Sequence, residues 1–98
     1  MINRIKVNEE RLDNISLVIK ELEICLDKFI SIEKEIKKIN EYYGSKEWFD
    51  DVYNYDNNKI KKIKAGVLSE DAIWNMNEKI EEIICKMNKT INYYYERK

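Results

Sequence analysis

An all-α protein is predicted by three features of the 98-residue sequence. Apolar residues recur alternately every three and four positions in two long segments, and no proline interrupts them. The only glycines, Gly44 and Gly66, lie between these segments. We therefore predict a single helical domain over residues 1–98, built as a long antiparallel helical hairpin of coiled-coil type with a short helical middle segment.

The first helix is predicted from Asn3 to Tyr43, a length of about 60 Å at the α-helical rise per residue. We expect Asn3 or Asn8 to cap its beginning and Gly44 to end it. Its apolar residues form a coiled-coil seam that consists of Ile15, Val18, Leu22, Cys25, Phe29, Ile32, Ile36, Ile39 and Tyr43.

The middle segment is predicted to begin with a short helix that Ser45 caps. Helical spacing places four apolar residues on one side of it: Trp48, Phe49, Val52 and Tyr53. Further along, Lys59–Lys64 has isoleucines three residues apart, a pattern that leaves open whether another helical turn follows.

The last helix is predicted from about Glu70 to about Tyr95. Ser69 is its expected N-cap, and Glu70 and Asp71 favour its first turn because carboxylates stabilise the positive end of the helix dipole. Its seam consists of Ile73, Met76, Ile80, Ile83, Met87, Thr90 and Tyr94.

The two predicted helices differ in length, and the difference predicts a binding surface. The last helix covers only about two thirds of the first, by the same rise per residue. Leu12 is then left without a cover, and Leu17 and Ile24 lie beside the seam rather than on it. A helix that is apolar on more than one side has more than one partner, so we expect a homodimer or a complex with another protein.

Acidic and aromatic residues cluster around the middle of the chain, and Tyr43, Trp48, Asp50, Asp51, Glu70 and Asp71 are the candidate binding residues there. In the hairpin the carboxylates lie near one another, which would suit a divalent cation or an acid–base pair. The simpler interpretation is that Glu70 and Asp71 stabilise a helix start while Asp50 and Asp51 are solvated. We favour it, and predict no catalytic residue, metal ligand or cofactor.

Several classes of protein are disfavoured by the composition. The net charge of −1 argues against nucleic-acid binding, and we expect the lysines of Lys59–Lys64 to be a solvent-exposed side of a turn. The absence of histidine excludes His-based catalysis and His-liganded zinc, and Cys25 and Cys85 are expected to be reduced thiols. No stretch approaches the length of a membrane span or a signal peptide, so we expect a cytoplasmic protein.

Two segments in the middle of the chain resemble the motifs of a known family. They are Tyr42–Trp48 (YYGSKEW), followed by Asp50 and Asp51, and Ala65–Ile73 (AGVLSEDAI). Together with the charged helices around them, they resemble the bacterial domain-of-unknown-function family numbered 4298. The resemblance implies a small, mainly helical bacterial protein with no assigned activity. The lysine-rich Lys59–Lys64 differs from the proline-containing segment that the family leads us to expect.

The function predicted from these features is protein–protein binding by a small non-enzymatic regulator or inhibitor. The size and a composition typical of AT-rich codons suit a gene carried by a phage or mobile element. The alternative is a metal-dependent or acid–base enzyme that uses the carboxylate cluster of Asp50, Asp51, Glu70 and Asp71. A third and weaker hypothesis is nucleic-acid binding through Lys59–Lys64.

Overall fold

The computed structural model describes residues 1–97, and the chain is 85% helical with no strand in that range. This confirms the predicted all-α class. The elements in chain order are α1 (Ile2–Ser31), α2 (Glu33–Tyr42), α3 (Lys46–Asp56), a 3-10 turn (Gly66–Leu68) and α4 (Glu70–Arg97).

The single first helix predicted from Asn3 to Tyr43 is divided in two at Ile32. The Ile32 N–H bonds to the Phe29 carbonyl at 3.3 Å, a tighter pairing than the α-helical one, and the Ser31 hydroxyl donates to the Lys28 carbonyl at 2.6 Å. A serine that bonds back to its own helix competes with the backbone and often bends a helix. The prediction of one continuous helix was wrong for this local reason.

The N-terminal cap of α1 is also different from the prediction. The helix begins at Ile2, and Met1 occupies the cap position without a side-chain hydrogen bond. Asn8 lies inside the helix, where its side-chain amide donates to the Arg4 carbonyl at 2.8 Å. Asn3 is likewise a helical residue, so neither asparagine caps α1.

The turn between α2 and α3 follows the prediction closely. Gly44 has a φ of 77°, the left-handed conformation that ends many helices and that glycine adopts without strain. Ser45 caps α3, with its hydroxyl oxygen accepting the Trp48 N–H at 3.2 Å. Of the four residues predicted to share one side of α3, only Trp48 is buried and Val52 half-buried, whereas Phe49 and Tyr53 are exposed. The side of α3 that faces the interior therefore differs from the predicted one and includes Asp51 and Tyr55, which are half-buried.

The lysine-rich segment after α3 is not helical, which answers the question that the spacing left open. It reaches the 3-10 turn at Gly66, and Ser69 then begins α4, with its hydroxyl oxygen accepting the Asp71 N–H at 3.2 Å. Helix α4 begins at Glu70 as predicted and ends at Arg97, slightly beyond the predicted end.

Contacts divide the chain into two units, Met1–Lys37 and Lys38–Lys98. The second unit contains both buried hydrophobic side chains of the described residues, Trp48 (5% exposed) and Ile73 (2% exposed). The first contains α1, in which no residue is buried. The single-domain assignment over residues 1–98 stays a prediction.

An antiparallel pairing of α2 and α4 is visible inside the second unit. Asn40 and Asn77 exchange two amide hydrogen bonds at 3.1 and 2.7 Å, and Tyr43 bonds to Glu70. Because the earlier residue of α2 meets the later residue of α4, the helices run in opposite directions. This is the hairpin pairing that the two seams predict.

Candidate functional site

Trp48 connects the two motif segments. Its indole N–H donates to the Val67 carbonyl at 3.0 Å, and its ring meets Tyr43 edge-on with 5.2 Å between ring centroids. A second edge-on contact joins it to Phe49 at 4.9 Å. A buried indole needs a partner for its N–H, and Val67 provides it. Trp48 therefore serves to join α3 to the 3-10 turn.

Tyr43 makes the second connection between the motif segments. Its hydroxyl donates to the backbone carbonyl of Glu70 at 2.6 Å, which ties the end of α2 to the start of α4. The side chains of Glu70 and Asp71 are in the first turn of α4, where the helix dipole favours negative charge. Their position thus has a sufficient structural cause.

Tyr42 and Asp51 form the shortest side-chain pair of the middle segment. The Tyr42 hydroxyl donates to Asp51 Oδ2 at 2.6 Å, and both residues are half-buried. This hydrogen bond, together with burial and the negative charge of Asp51, raises the pKa of Tyr42 to about 12. Tyr42 is consequently neutral at physiological pH and is a hydrogen-bond donor.

The Tyr42–Asp51 pair lies at a shallow hollow of about 280 Å³. Its other lining residues come from α3, the lysine-rich segment and the 3-10 turn: Tyr55, Ile60, Ile63, Lys64, Ala65, Val67 and Leu68. Asp51 is the one carboxylate among them, and Lys64 the one ammonium group. The hollow thus combines an apolar floor with one charge of each sign.

The four candidate carboxylates, Asp50, Asp51, Glu70 and Asp71, do not form one cluster among the described residues. Asp51 is bonded to Tyr42, and Asp50, its neighbour, is exposed. Glu70 and Asp71 are exposed at the start of α4. Among residues 1–97 no three His, Cys, Asp or Glu side chains lie together in a way that could hold a metal ion.

Two lysines of the lysine-rich segment lie against tyrosines of α3. The Lys59 ammonium is 4.5 Å from the centre of the Tyr53 ring, and that of Lys62 is 3.8 Å from the Tyr55 ring. Lys62 also donates to the Tyr55 carbonyl, and the Tyr55 hydroxyl donates to the Ile63 carbonyl at 3.1 Å. Through these cation–π contacts the two lysines attach the lysine-rich segment to α3.

The three residues predicted to form an apolar surface on the first helix lie in α1 and are exposed. Leu12, Leu17 and Ile24 are 56%, 56% and 45% exposed. At about 100° per residue, Leu17 and Ile24 lie together on the side of α1 opposite to Ile15 and Leu22. Leu12 lies on the same side as Ile15 and Leu22, so the three candidate residues belong to two surfaces.

The larger of the two surfaces, which we call the α1 face, contains Leu12 and extends well beyond the three candidate residues. It runs along α1 with the same alternate spacing of three and four residues, through Ile5, Asn8, Leu12, Ile15, Ile19, Leu22, Leu26 and Phe29. Its aliphatic members are 40–58% exposed, and Phe29 is half-buried. The signal was present in the sequence, but it overlaps the predicted seam at Ile15, Leu22 and Phe29.

Both cysteines are exposed free thiols. The predicted seam of the first helix included Cys25, whereas that of the last helix did not include Cys85. Cys25 lies in α1, which carries no buried residue. None of the described helices is long and apolar enough to cross a membrane.

Comparison with known proteins places the chain in a family. The family model described as Domain of unknown function (DUF4298) matches residues 5–96, nearly the whole chain. The protein belongs to this family, which confirms the resemblance drawn from the two motif segments. No curated protein and no solved structure matches the chain.

Proposed function

We propose that this protein acts by binding another protein through the α1 face, as a small non-enzymatic regulator or inhibitor in the cytoplasm. The observation that carries the proposal is a 30-residue helix without one buried residue, although apolar side chains follow its whole length. Large exposed apolar patches are uncommon on soluble monomers unless they bind something.

Leaving a Leu or Ile side chain about half exposed forgoes roughly 1 kcal/mol of hydrophobic stabilisation. Six aliphatic members of the α1 face are in this state: Ile5, Leu12, Ile15, Ile19, Leu22 and Leu26. A partner that covers them recovers that free energy.

The motif residues support a role as scaffold. Trp48 and Tyr43 bond to backbone carbonyls across the two motif segments, and Tyr42 bonds to Asp51. Each of these polar groups has a partner inside the protein. We infer that the motifs hold the second unit together and that binding belongs to α1.

The proposal is tested by capture with three immobilised proteins. They are the parent, the face variant Leu12→Gln/Ile19→Gln, and the control Glu10→Gln/Glu21→Gln, whose changes lie on the opposite side of α1. Each is exposed to purified parent protein and to a cell lysate, and bound proteins are identified by mass spectrometry. We expect the parent and the control to retain the same partner and the face variant to lose it. Equal binding by all three would contradict the proposal.

No specific contact favours the enzyme alternative with Asp50, Asp51, Glu70 and Asp71. Its check is a melting curve with and without Mg²⁺ or Ca²⁺. A rise in melting temperature that Asp51→Asn or Asp71→Asn abolishes would support it, and an unchanged curve would speak against cation binding.

A further inference from the structure

The α1 face has the arrangement of a coiled-coil interface. Eight positions alternate at spacings of three and four residues, and seven of them are apolar. Ile5, Leu12, Ile19 and Leu26 take one of the two core positions of the heptad, and Asn8, Ile15, Leu22 and Phe29 take the other. Helix α1 is about 45 Å long, at the α-helical rise per residue. Such a face is complementary to another helix with the same repeat.

The charges beside the face indicate which helix that is. One edge carries Arg4, Arg11, Val18 and Cys25, and the other edge carries Glu9, Ser16, Glu23 and Ile30, so the cations lie on one edge and the carboxylates on the other. In a parallel pair of identical helices, the first edge of each faces the second edge of its partner. Arg4 of one copy then lies beside Glu9 of the other, on both sides of the interface. An antiparallel pair would instead place like edges together.

Asn8 points to the same arrangement. It is the single polar residue on the face, and its amide already donates to the Arg4 carbonyl at 2.8 Å while its oxygen accepts from Arg11 at 3.2 Å. In a parallel pair in register, the two Asn8 side chains lie opposite each other in the core, where each has a second amide N–H and a second oxygen lone pair to offer the other, and a single polar layer of this kind restricts the register. In an antiparallel pair, Asn8 would face an apolar residue and lose part of its hydrogen bonding.

We propose that the occupant of the α1 face is α1 of a second copy of this chain, parallel and in register. The inference rests on the proposed function, because it names the partner of the same surface. Leu17 and Ile24 lie outside the interface, on the opposite side of α1, and stay exposed in the dimer.

The arrangement is tested by disulfide trapping in the full chain. The background is Cys25→Ser/Cys85→Ser, which removes both native thiols. Leu22→Cys adds a thiol at a core position, where a parallel pair in register brings the two copies of the residue together. Leu17→Cys is the matched control, because Leu17 and Leu22 are both 56% exposed in the single chain. Mild oxidation is followed by electrophoresis without reductant.

The expected result is a covalent dimer from Leu22→Cys, with Leu17→Cys giving far less at the same concentration. Equal trapping of both variants would indicate random collision and overturn the proposal. A protein that sediments as a dimer but leaves Leu22→Cys untrapped would overturn the parallel register. Circular dichroism on each variant establishes that it is folded.

Charge reversal tests the proposed pairing of Arg4 with Glu9 of the second copy. Arg4→Glu places two glutamates beside each other on each side of the interface, at the N-terminal end of the pair, and should weaken the dimer by about fivefold, as exposed ion pairs are worth little individually. Adding Glu9→Arg to that variant should restore the affinity. Failure of the second change to restore it would remove the parallel pairing.

These outcomes separate the two proposals. A parent that stays monomeric at millimolar concentration, while Leu12→Gln/Ile19→Gln still abolishes capture of a different protein, overturns the homodimer and keeps the α1 face as a binding surface. A face variant that changes neither the mass nor the captured proteins overturns both.

Discussion

The hydrogen bond between Tyr42 and Asp51 shows how single residues of the motifs serve the fold. The tyrosine is expected to be a donor to an ionised carboxylate, a stronger bond than one between neutral groups. Neither residue was paired with the other from the sequence, because nine residues and a turn separate them along the chain. Only the reversal at Gly44 brings α3 back to the end of α2.

Replacing the acceptor should change the titration of the tyrosine. In the parent, Tyr42 ionises with a pKa of about 12 against an ordinary value of 10.0. Asp51→Asn removes the charge and the strongest acceptor, so the pKa of Tyr42 should fall toward its ordinary value of 10.0. Ultraviolet absorption of tyrosinate during an alkaline titration measures this. Asp50→Asn is the control, and a similar shift in that variant would contradict the assignment.

The same hydrogen bond predicts how stability depends on pH. Because the pKa of Tyr42 is higher in the folded protein, its stabilising effect is complete below about pH 10 and is lost as the pH rises to about 12. Tyr42→Phe should lower the free energy of unfolding by about 1 kcal/mol at neutral pH. Urea titrations of parent and variant should converge between pH 10 and 12. A difference that stays constant over that range would contradict the account.

Gly44 and Gly66 allow the effect of backbone conformation to be measured by the same substitution at two positions. A Cβ would meet nothing within 4 Å at either position, but only Gly44 has a positive φ. Gly44→Ala should therefore destabilise the protein by about 1 kcal/mol through backbone strain, whereas Gly66→Ala should be nearly neutral. Thermal melting compares them, and equal losses would show that the turn does not depend on the left-handed conformation.

At the scale of helices, the sequence predicted what depends on local chemistry. The start of α4 follows from Ser69, Glu70 and Asp71, and the start of α3 from Ser45, because a cap needs only its own few neighbours. The division at Ile32 was not predicted, since the apolar spacing continues through it and only the bond from Ser31 to Lys28 reveals the competition. The conformation of Lys59–Lys64 depends on Tyr53 and Tyr55, which no spacing rule indicates.

The pairing of α2 with α4 depends in part on the Asn40–Asn77 amide exchange. A double-mutant cycle with Asn40→Ala and Asn77→Ala should give a coupling free energy of about 0.5–1 kcal/mol. The control is a second cycle with Asn40→Ala and Asn75→Ala, which should give no coupling because Asn75 is an exposed neighbour of Asn77. Similar coupling in both cycles would mean that the contact adds nothing specific to the pairing. Chemical denaturation provides each free energy.

For the molecule as a whole, the sequence predicted the class and the existence of an uncovered apolar helix, and it placed that surface only in part. Leu12 was selected because the shorter last helix does not reach it, and Leu17 and Ile24 because they lie beside the seam. The exposure of Leu22 was not predicted, since the seam implied that the last helix would cover it. The structure leaves the entire length of α1 without a buried residue, and this observation is the basis of the proposed binding surface.

The mass of the protein in solution tests this account most directly. Light scattering coupled to chromatography is applied to the parent, to Leu12→Gln/Ile19→Gln and to Glu10→Gln/Glu21→Gln, from micromolar to millimolar concentration. We predict that the parent and the control have twice the chain mass of 11.9 kDa, and that the face variant has the mass of one chain. A parent that stays at 11.9 kDa throughout, or a face variant that remains dimeric, would contradict it.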